Sequence, residues 1–106
     1  MIEARKLDRL VLIQRRSRSI NEAGAEATSW LTIAEAYAQR LEAGSRELTR
    51  AYGQVEEGQA VWRIRFVEGV TTAHRLLANE GALDIVEVRE LGRRVGLELR
   101  TRTPKP

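Results

Sequence analysis

Apolar and polar residues alternate most clearly in two segments of the second half of the chain. In residues 60–67, three aromatic or aliphatic residues alternate with two arginines: Trp62, Ile64 and Phe66 with Arg63 and Arg65. In residues 95–102, strand-forming residues alternate with glycine or charge: Val95, Leu97, Leu99 and Thr101 with Gly96, Glu98, Arg100 and Arg102. A period of two residues predicts strands with one face in the core and the other in water.

Three further segments predict strands by composition and spacing. Leu10–Gln14 is a short apolar run, typical of a strand buried on much of both faces. Residues 72–77 predict a weaker strand. In residues 83–88 the apolar side chains change from odd to even positions, which predicts a β-bulge near Ile85 and Val86 or burial on both faces.

Turn-forming residues separate these segments, at positions 21–24, 68–69, 79–81 and 92–94. Arg15, Arg16 and Arg18 follow the first apolar run and are expected to end that strand in solvent. We expect residues 17–28 to form a long, mobile hairpin loop.

The pattern of residues 29–41 is compatible with two structures. Its apolar residues fall at the spacing of one helical face: Trp30, Ile33, Ala34, Tyr37 and Leu41. Taken alone, this spacing favours a helix. The same residues also permit a strand pair or one long bent strand, with small alanines on one face, and periodicity does not decide between these structures.

Strand patterning lapses in an insert at residues 41–58, where a short helix is predicted. Ser45 is suited to cap the helix, Glu47 lies in its first turn, where the helix dipole favours an acid, and Gly53 ends it. Its apolar face would hold Leu48, Ala51 and Tyr52. A helix of about eight residues is marginal in water, so its order must come from packing. The tip, residues 54–58, has little to anchor it.

These elements predict a mainly β fold: a small antiparallel β-barrel or sandwich of five to six strands, with one short helix in a long loop. The 106 residues suffice for a single domain over 1–106, with the barrel in 6–102 and the helix-containing loop in 44–58. Residues 103–106 form a tail, because proline lacks the donor that a strand ladder needs.

Composition adds limits rather than a function. The chain is 42% hydrophobic and 31% charged, as is ordinary for a folded protein, and carries a formal charge of +3. It has no cysteine, so neither disulfides nor thiolate metal sites can form, and a cytoplasmic setting is the default. No segment predicts a membrane span or a signal peptide. The many arginines suit pairing with carboxylates or phosphates, although a solvated charged surface is the favoured interpretation.

The sequence offers little for catalysis, metal binding or cofactor binding. His74 is the only histidine and lies in a predicted strand with no motif around it. We expect no enzyme activity, metal or cofactor. An oligonucleotide-binding barrel would place aromatic residues and arginines on one face. Here alternation puts Trp62 and Phe66 opposite Arg63 and Arg65, which favours a core role for the aromatic residues.

A series of short motifs resembles one family in its order and spacing. The first half contains Leu7-Asp8-Arg9, Leu12-Ile13-Gln14-Arg15, Asn21-Glu22-Ala23-Gly24, Trp30, Ala36-Tyr37-Ala38 and Gly44-Ser45-Arg46-Glu47. The second half contains Trp62-Arg63-Ile64-Arg65-Phe66, Gly69-Val70-Thr71, Leu83-Asp84-Ile85 and Gly92-Arg93-Arg94. Over residues 7–102 the chain resembles the head-tail joining proteins (head-completion, adaptor or stopper proteins) of long-tailed bacteriophages and gene transfer agents. It departs from them at residues 77–81, where the family has an aromatic residue before an Asp-Gly turn.

The resemblance implies that residues 29–41 are mainly strand and that the protein is a ring-forming component at the portal vertex. Its implied partners are further copies of itself, a portal-bound adaptor above, a tail terminator or tail tube protein below, and double-stranded DNA passing through the channel. It implies a location in the virion or gene transfer agent particle, assembled in the bacterial cytoplasm. A small nucleic-acid-binding barrel is the alternative function, and a tail-completion protein is a third possibility.

By position, the loop at 44–58 would project into the ring's channel and block the exit of DNA. The channel-loop residues would be Ser45, Arg46, Glu47, Arg50, Gln54, Glu56 and Glu57. Contacts with neighbouring subunits or partners would come from arginines that can pair with acids: Arg15, Arg16, Arg18, Arg93, Arg94 and Arg102. Neighbouring copies would complete the marginal helix and its tip. The adjacent acids Glu56 and Glu57 would repel DNA phosphate and let the DNA slide.

Overall fold

The computed structural model describes residues 2–42, 44–56 and 58–104. A 3-10 helix at Ala4–Lys6 precedes six strands and one α-helix in the described residues. In chain order these are β1 (Arg9–Ile20), β2 (Glu26–Glu42), α1 (Arg46–Tyr52), β3 (Gln59–Arg65), β4 (Arg75–Ala78), β5 (Gly81–Leu91) and β6 (Gly96–Arg102). None of the described helices is long and apolar enough to cross a membrane.

The six strands form one antiparallel sheet that closes on itself as a barrel. The strand order is β1-β2-β3-β6-β5-β4, and β4 pairs with β1 to complete the closure. The expected mainly β fold, with six antiparallel strands and one short helix between strands, is therefore confirmed.

The barrel interior is filled by apolar side chains from all six strands. Its fully buried members include Val11, Ile13, Trp62, Ile64, Leu76 and Leu99. The indole of Trp62 donates a hydrogen bond to Thr101 Oγ1 at 3.0 Å, and that hydroxyl donates to the Ala60 carbonyl at 3.2 Å. The polar end of the largest core side chain is thus satisfied inside the barrel.

Residues 29–41 belong to a single long strand, so the helical interpretation of this segment is wrong and the long-strand interpretation is right. β2 runs for 17 residues and pairs with β1 from Glu26 to Ala38. The pairing register shifts at Ile13 and Gln14, which leaves Ile33 as an extra residue on β2. Such a bulge breaks the two-residue alternation and leaves apolar residues at spacings that mimic a helix.

Several element bounds also differ from the sequence expectations. The predicted loop at 17–28 is mostly strand, because β1 and β2 pair out to Ile20 and Glu26, leaving a turn at 21–25. There, Asn21 Oδ1 accepts hydrogen bonds from two backbone N–H groups. The weak strand expected at 72–77 covers only Arg75–Ala78, which places His74 in the preceding bend, where its Nδ1 accepts a hydrogen bond from the Thr71 N–H. The bulge predicted near Ile85 and Val86 is confirmed by a register shift between Ile85 and Glu87.

β1 and β2 extend well beyond the barrel wall. β4 pairs with β1 only at 12–14, and β3 pairs with β2 only at 38–42. Past Gln14 of β1 and Thr32 of β2, the two strands pair only with each other within the described residues, and we call this two-stranded ribbon, residues 15–31, the hairpin arm. The arm helps to explain the elongated dimensions of the molecule, 52 × 28 × 21 Å.

Candidate functional site

The segment between β2 and β3 begins with a capped helix. The Ser45 hydroxyl accepts a hydrogen bond from the Leu48 N–H at 3.2 Å, which confirms Ser45 as the N-cap of α1. Gly53 ends the helix with a φ of 73° and donates its N–H to the Thr49 carbonyl at 2.8 Å. Because a positive φ favours glycine, the sequence itself sets this end point.

One face of α1 packs on the outside of the barrel wall. Leu48 is fully buried and forms a small cluster with Leu41 of β2 and Val61 of β3, against which Tyr52 and Val55 also pack. The tip was expected to lack an anchor, but Val55 provides one. Ala51 was expected on the packed face and is instead exposed.

A partly buried ionic network joins α1 to β3 and β6. Arg63 and Glu98 face each other across the β3–β6 pair, and Arg63 Nε and Nη2 donate to Glu98 Oε2 at 3.0 and 2.7 Å. From the helix, Tyr52 OH donates to Glu98 Oε1 at 2.8 Å, and Glu47 Oε1 lies 2.7 Å from Arg63 Nη1. We call these four residues the clamp.

The clamp lies on a strand face that the alternation pattern assigned to water. Glu98 is only 3% exposed and the side chain of Arg63 17%, because α1 covers this part of the barrel wall. A buried carboxylate is tolerated only when it is paired and hydrogen-bonded. Glu98 accepts from three donors, two on Arg63 and one on Tyr52.

Electrostatics keep the donors of the clamp protonated. Burial alone would lower the pKa of Arg63, but hydrogen bonds to Glu98 and Glu47 outweigh it and raise the pKa above its ordinary value. Burial, followed by the hydrogen bond to Glu98, raises the pKa of the Tyr52 phenol. The guanidinium of Arg89 lies 4.0 Å from the centroid of the Tyr52 ring and packs on its face.

The remaining residues of the segment face outward. Arg46, Arg50, Gln54 and Glu56 are exposed, while Glu57 lies outside the described residues. The polar groups of the clamp bond to one another and hold α1 on the barrel, which indicates a structural role rather than a reacting centre. In the part of the chain that the structure describes, no three acidic or histidine side chains converge to hold a metal ion.

Comparison with known protein families decides the class of this barrel. A model described as phage head completion protein matches residues 2–104. The chain belongs to this family. The resemblance drawn from the sequence motifs is therefore confirmed, and the family description makes the chain a structural, head-related component of a phage-type particle rather than an enzyme. It is located in that particle, in association with other phage structural proteins.

Two solved structures share the fold of this head completion protein. Protein SF1141 from Shigella flexneri 2a superposes with a TM-score of 0.72 at 18% identity, with 96% of each chain covered. A chain from the virion of a native gene transfer agent particle superposes with a TM-score of 0.55 at 17% identity, with 90% of this chain and 92% of that chain covered. No curated protein matches the sequence.

The six arginines predicted to contact partners lie at three places in the head completion protein. Arg15, Arg16 and Arg18 lie on the hairpin arm, Arg93 and Arg94 in the β5–β6 turn, and Arg102 at the end of β6. Of these, Arg16 and Arg102 line one shallow cavity of about 440 Å³ beside Trp30. Arg94 is engaged within the chain, 4.8 Å from the Phe66 ring centroid and 3.6 Å from a Glu68 oxygen.

Sequence reasoning found Leu48 and Tyr52 on the packed face of the helix but missed the polar contacts that hold the segment in place. Tyr52 was assigned to the apolar face of the helix, and Glu98 to a solvated strand face. Arg75, which stacks 4.3 Å from the Trp30 ring centroid, was also missed. The one available signal was an arginine on β3 at the same level as an acid on β6. Seeing it as a pair requires the knowledge that these two strands are neighbours.

Proposed function

We propose that this protein forms a ring at the head-tail interface, where it retains packaged DNA and presents a docking surface for the tail. Family membership over residues 2–104 is the observation that carries the proposal, because head completion describes a protein that finishes a DNA-filled head. The proposed partners are further copies of the chain, a portal-bound adaptor above, a tail terminator or tail tube protein below, and the DNA in the channel.

Within this proposal, residues 44–58 are the element that lines or closes the channel. The clamp and the Leu48 cluster support this assignment, since they mount the helix on the barrel at fixed points and leave its other face exposed. We expected neighbouring copies to order the helix. Leu48 and the clamp already supply packing for one face of the helix within a single chain, which supports a role for α1 in holding the tip at 54–58.

The charges of this segment favour a surface that faces DNA without binding it tightly. The arginines at 46 and 50 are one helical turn apart and exposed, whereas Glu56 is exposed on the tip, next to Glu57 in sequence. Acids at the tip would repel phosphate where the channel is narrowest. In infectious or transducing particles, replacing Glu56 and Glu57 with arginine should slow DNA ejection, and glutamine at both positions should have a smaller effect. Unchanged ejection kinetics with four added charge units per subunit would refute the electrostatic role.

The decisive experiment compares particles made with and without the protein. Without it, electron microscopy should show DNA-filled heads that lack tails, and nuclease treatment should reveal DNA leaking from them. Expression of the wild-type chain should restore tailed particles. A chain in which residues 54–58 are replaced by a Gly-Ser linker should join the particle yet leak DNA. Tailed, DNA-retaining particles in the absence of the protein would overturn the proposal.

Several residues that a small nucleic-acid-binding barrel would use, the alternative function, are buried or engaged in contacts within the chain. Trp62 is fully buried, Arg63 is paired with two acids, and two guanidiniums lie over Trp30. A salt titration separates the two functions. Tight DNA binding by the isolated chain that weakens steeply with salt would favour the alternative.

A further inference from the structure

The hairpin arm has two unpaired edges. Within the described residues, pairing of β1 with β4 stops at Gln14, and on the other side of the hairpin β2 pairs with β3 only from Ala38 onward. Within the described residues, β2 therefore presents a free edge over 26–37, and β1 presents one over 15–20. Unpaired strand edges are surfaces to which another chain readily adds.

The two free edges carry opposite charge. The free stretch of β1 holds three arginines and no acid: Arg15, Arg16 and Arg18. The free stretch of β2 holds Glu26 and Glu35 and no basic residue. Only one pair links the two sets within the described chain: Arg18 and Glu26 at 3.6 Å, both about two-thirds exposed. Arg15 and Glu35 are exposed and lack an ion-pair partner among the described residues.

Exposed apolar side chains are concentrated on the same element. Six large hydrophobic residues of the described chain are exposed, and four of them lie on the arm or on the free stretch of β2: Ile20, Leu31, Ile33 and Tyr37. A two-stranded ribbon is marginally stable in water by itself. Apolar residues on such a ribbon indicate a surface that a partner covers.

We propose that these two edges are the complementary halves of one subunit contact, in which the β1 edge of one copy lies against the β2 edge of the next. This inference rests on the proposed ring. The occupant is a second copy of this chain because the chain itself carries both the basic and the acidic half. A contact between two different patches repeats from copy to copy until it closes, as ring symmetry requires. Arg15 and Glu35 face each other across this contact, flanked by Leu31 and Ile33.

Cysteine crosslinking tests the contact directly, because the natural chain contains no cysteine. Within one chain, Arg15 is opposite Leu31 and Glu35 is opposite Leu12, so the two positions are not cross-strand partners. With Arg15→Cys and Glu35→Cys in the same chain, a short bis-maleimide reagent applied to purified particles should give a ladder of covalent multimers. Either substitution alone should give no multimer beyond a dimer. No ladder in particles that contain the double variant at wild-type level would overturn the contact.

Charge reversal provides an independent test. Arg15→Glu or Glu35→Arg should each reduce incorporation into particles at least tenfold, since every contact then opposes like charges. The double reversal should restore incorporation, as should co-expression of the two single variants, which can alternate around the ring. Asp8→Arg, a reversal of another exposed acid, is the control and should have little effect. Circular dichroism of each purified variant confirms that it is folded.

The outcomes separate this inference from the function on which it rests. Wild-type protein absent from particles would refute the proposed function. Wild-type protein present, with both single reversals incorporated normally, would refute the contact alone. Loss in the single variants without rescue by the double reversal would also refute it.

Discussion

Glu98→Gln tests whether the clamp stabilises the fold. Glutamine has nearly the same shape as glutamate but carries no charge, so the substitution leaves the packing of β6 and removes the anion that faces Arg63. At 3% exposure, Glu98 is shielded from water, and its two oxygens accept hydrogen bonds from Arg63 and Tyr52. In the variant, Arg63 keeps only Glu47, whose side chain is about half exposed.

The expected loss follows from this geometry. Removing one partner of a buried ion pair costs about 3–5 kcal/mol, because the other charge is left uncompensated. Here Glu47 still offsets part of the charge on Arg63, so we expect a loss of about 3 kcal/mol, at the low end of that range. Against the roughly 5–15 kcal/mol that stabilises a typical domain, this is a large fraction.

Urea unfolding followed by tryptophan fluorescence measures this loss, since Trp62 is fully buried in the barrel. Glu87→Gln is the matched control. It removes a carboxylate that pairs with Arg100 at 2.9 Å but is about one-third exposed, and it should cost less than about 1 kcal/mol. A loss below about 1 kcal/mol for Glu98→Gln as well would refute the assignment of the clamp as a stabilising network.

A double variant separates the cost of leaving Arg63 without its partner from the net contribution of the ion pair to stability. Combining Arg63→Met with Glu98→Leu removes both charges and fills the space with apolar atoms. Buried pairs replaced in this way often lose little stability or gain some. We therefore expect the double variant to be more stable than Glu98→Gln, and the opposite order would show that the ion pair is itself a strong net contributor.

Three further changes probe the same structure. The folded-state pKa of Tyr52 is raised above its ordinary value near 10, so the contribution of its protonated phenol to stability is complete below about pH 10 and declines above it. The free energy of unfolding should therefore fall less steeply with pH in alkali for Tyr52→Phe than for wild type. Equal pH dependence of the two free energies, measured by urea unfolding, would contradict this. Leu48→Ala, at a fully buried position, should cost about 2–3 kcal/mol in urea unfolding, and a loss under about 1 kcal/mol would show that α1 is not mounted through this side chain. In Gly96→Ala the new Cβ would lie 2.7 Å from the Ile64 carbonyl oxygen, so the free energy of unfolding should fall by about 1–3 kcal/mol and the midpoint of thermal unfolding should drop. Val95→Ala, at a half-exposed position, is the control and should change the midpoint little. Equal midpoints for the two variants would contradict the close approach.

Features encoded in a few adjacent residues were predictable from the sequence. The α1 helix follows from a serine cap and a glycine stop, and the β5 bulge from a local change in the parity of its apolar residues. Both signals lie within a few consecutive residues and need no knowledge of which strands are neighbours.

Features that depend on distant residues were not predictable in this way. In β2, the extra residue Ile33 shifts the alternation, so a strand acquired the spacing of a helix, and only its long pairing with β1 settles the structure. Glu98 has the pattern of a solvated residue because the helix that buries it comes from an insert 46 residues earlier in sequence. The clamp therefore depends on which strands are neighbours. The lapse in strand patterning locates the insert and the family resemblance implies its role at the channel, but neither predicts the contacts that hold it on the barrel.

Closure of the barrel has a consequence for how the protein folds and opens. β4 is the shortest strand of the described residues and meets β1 over three residue pairs, between Leu12–Gln14 and Arg75–Leu77. This seam joins parts of the chain about 61 residues apart, as in the hydrogen bond from Arg75 to Gln14. Because closing so long a loop costs chain entropy, we expect the β1–β4 contacts to form late in folding. Contacts that form late and are few in number open first. Within the barrel wall, leaving the hairpin arm aside, amide exchange in the native protein should accordingly be fastest for β4, and the barrel should open there as an unrolled sheet.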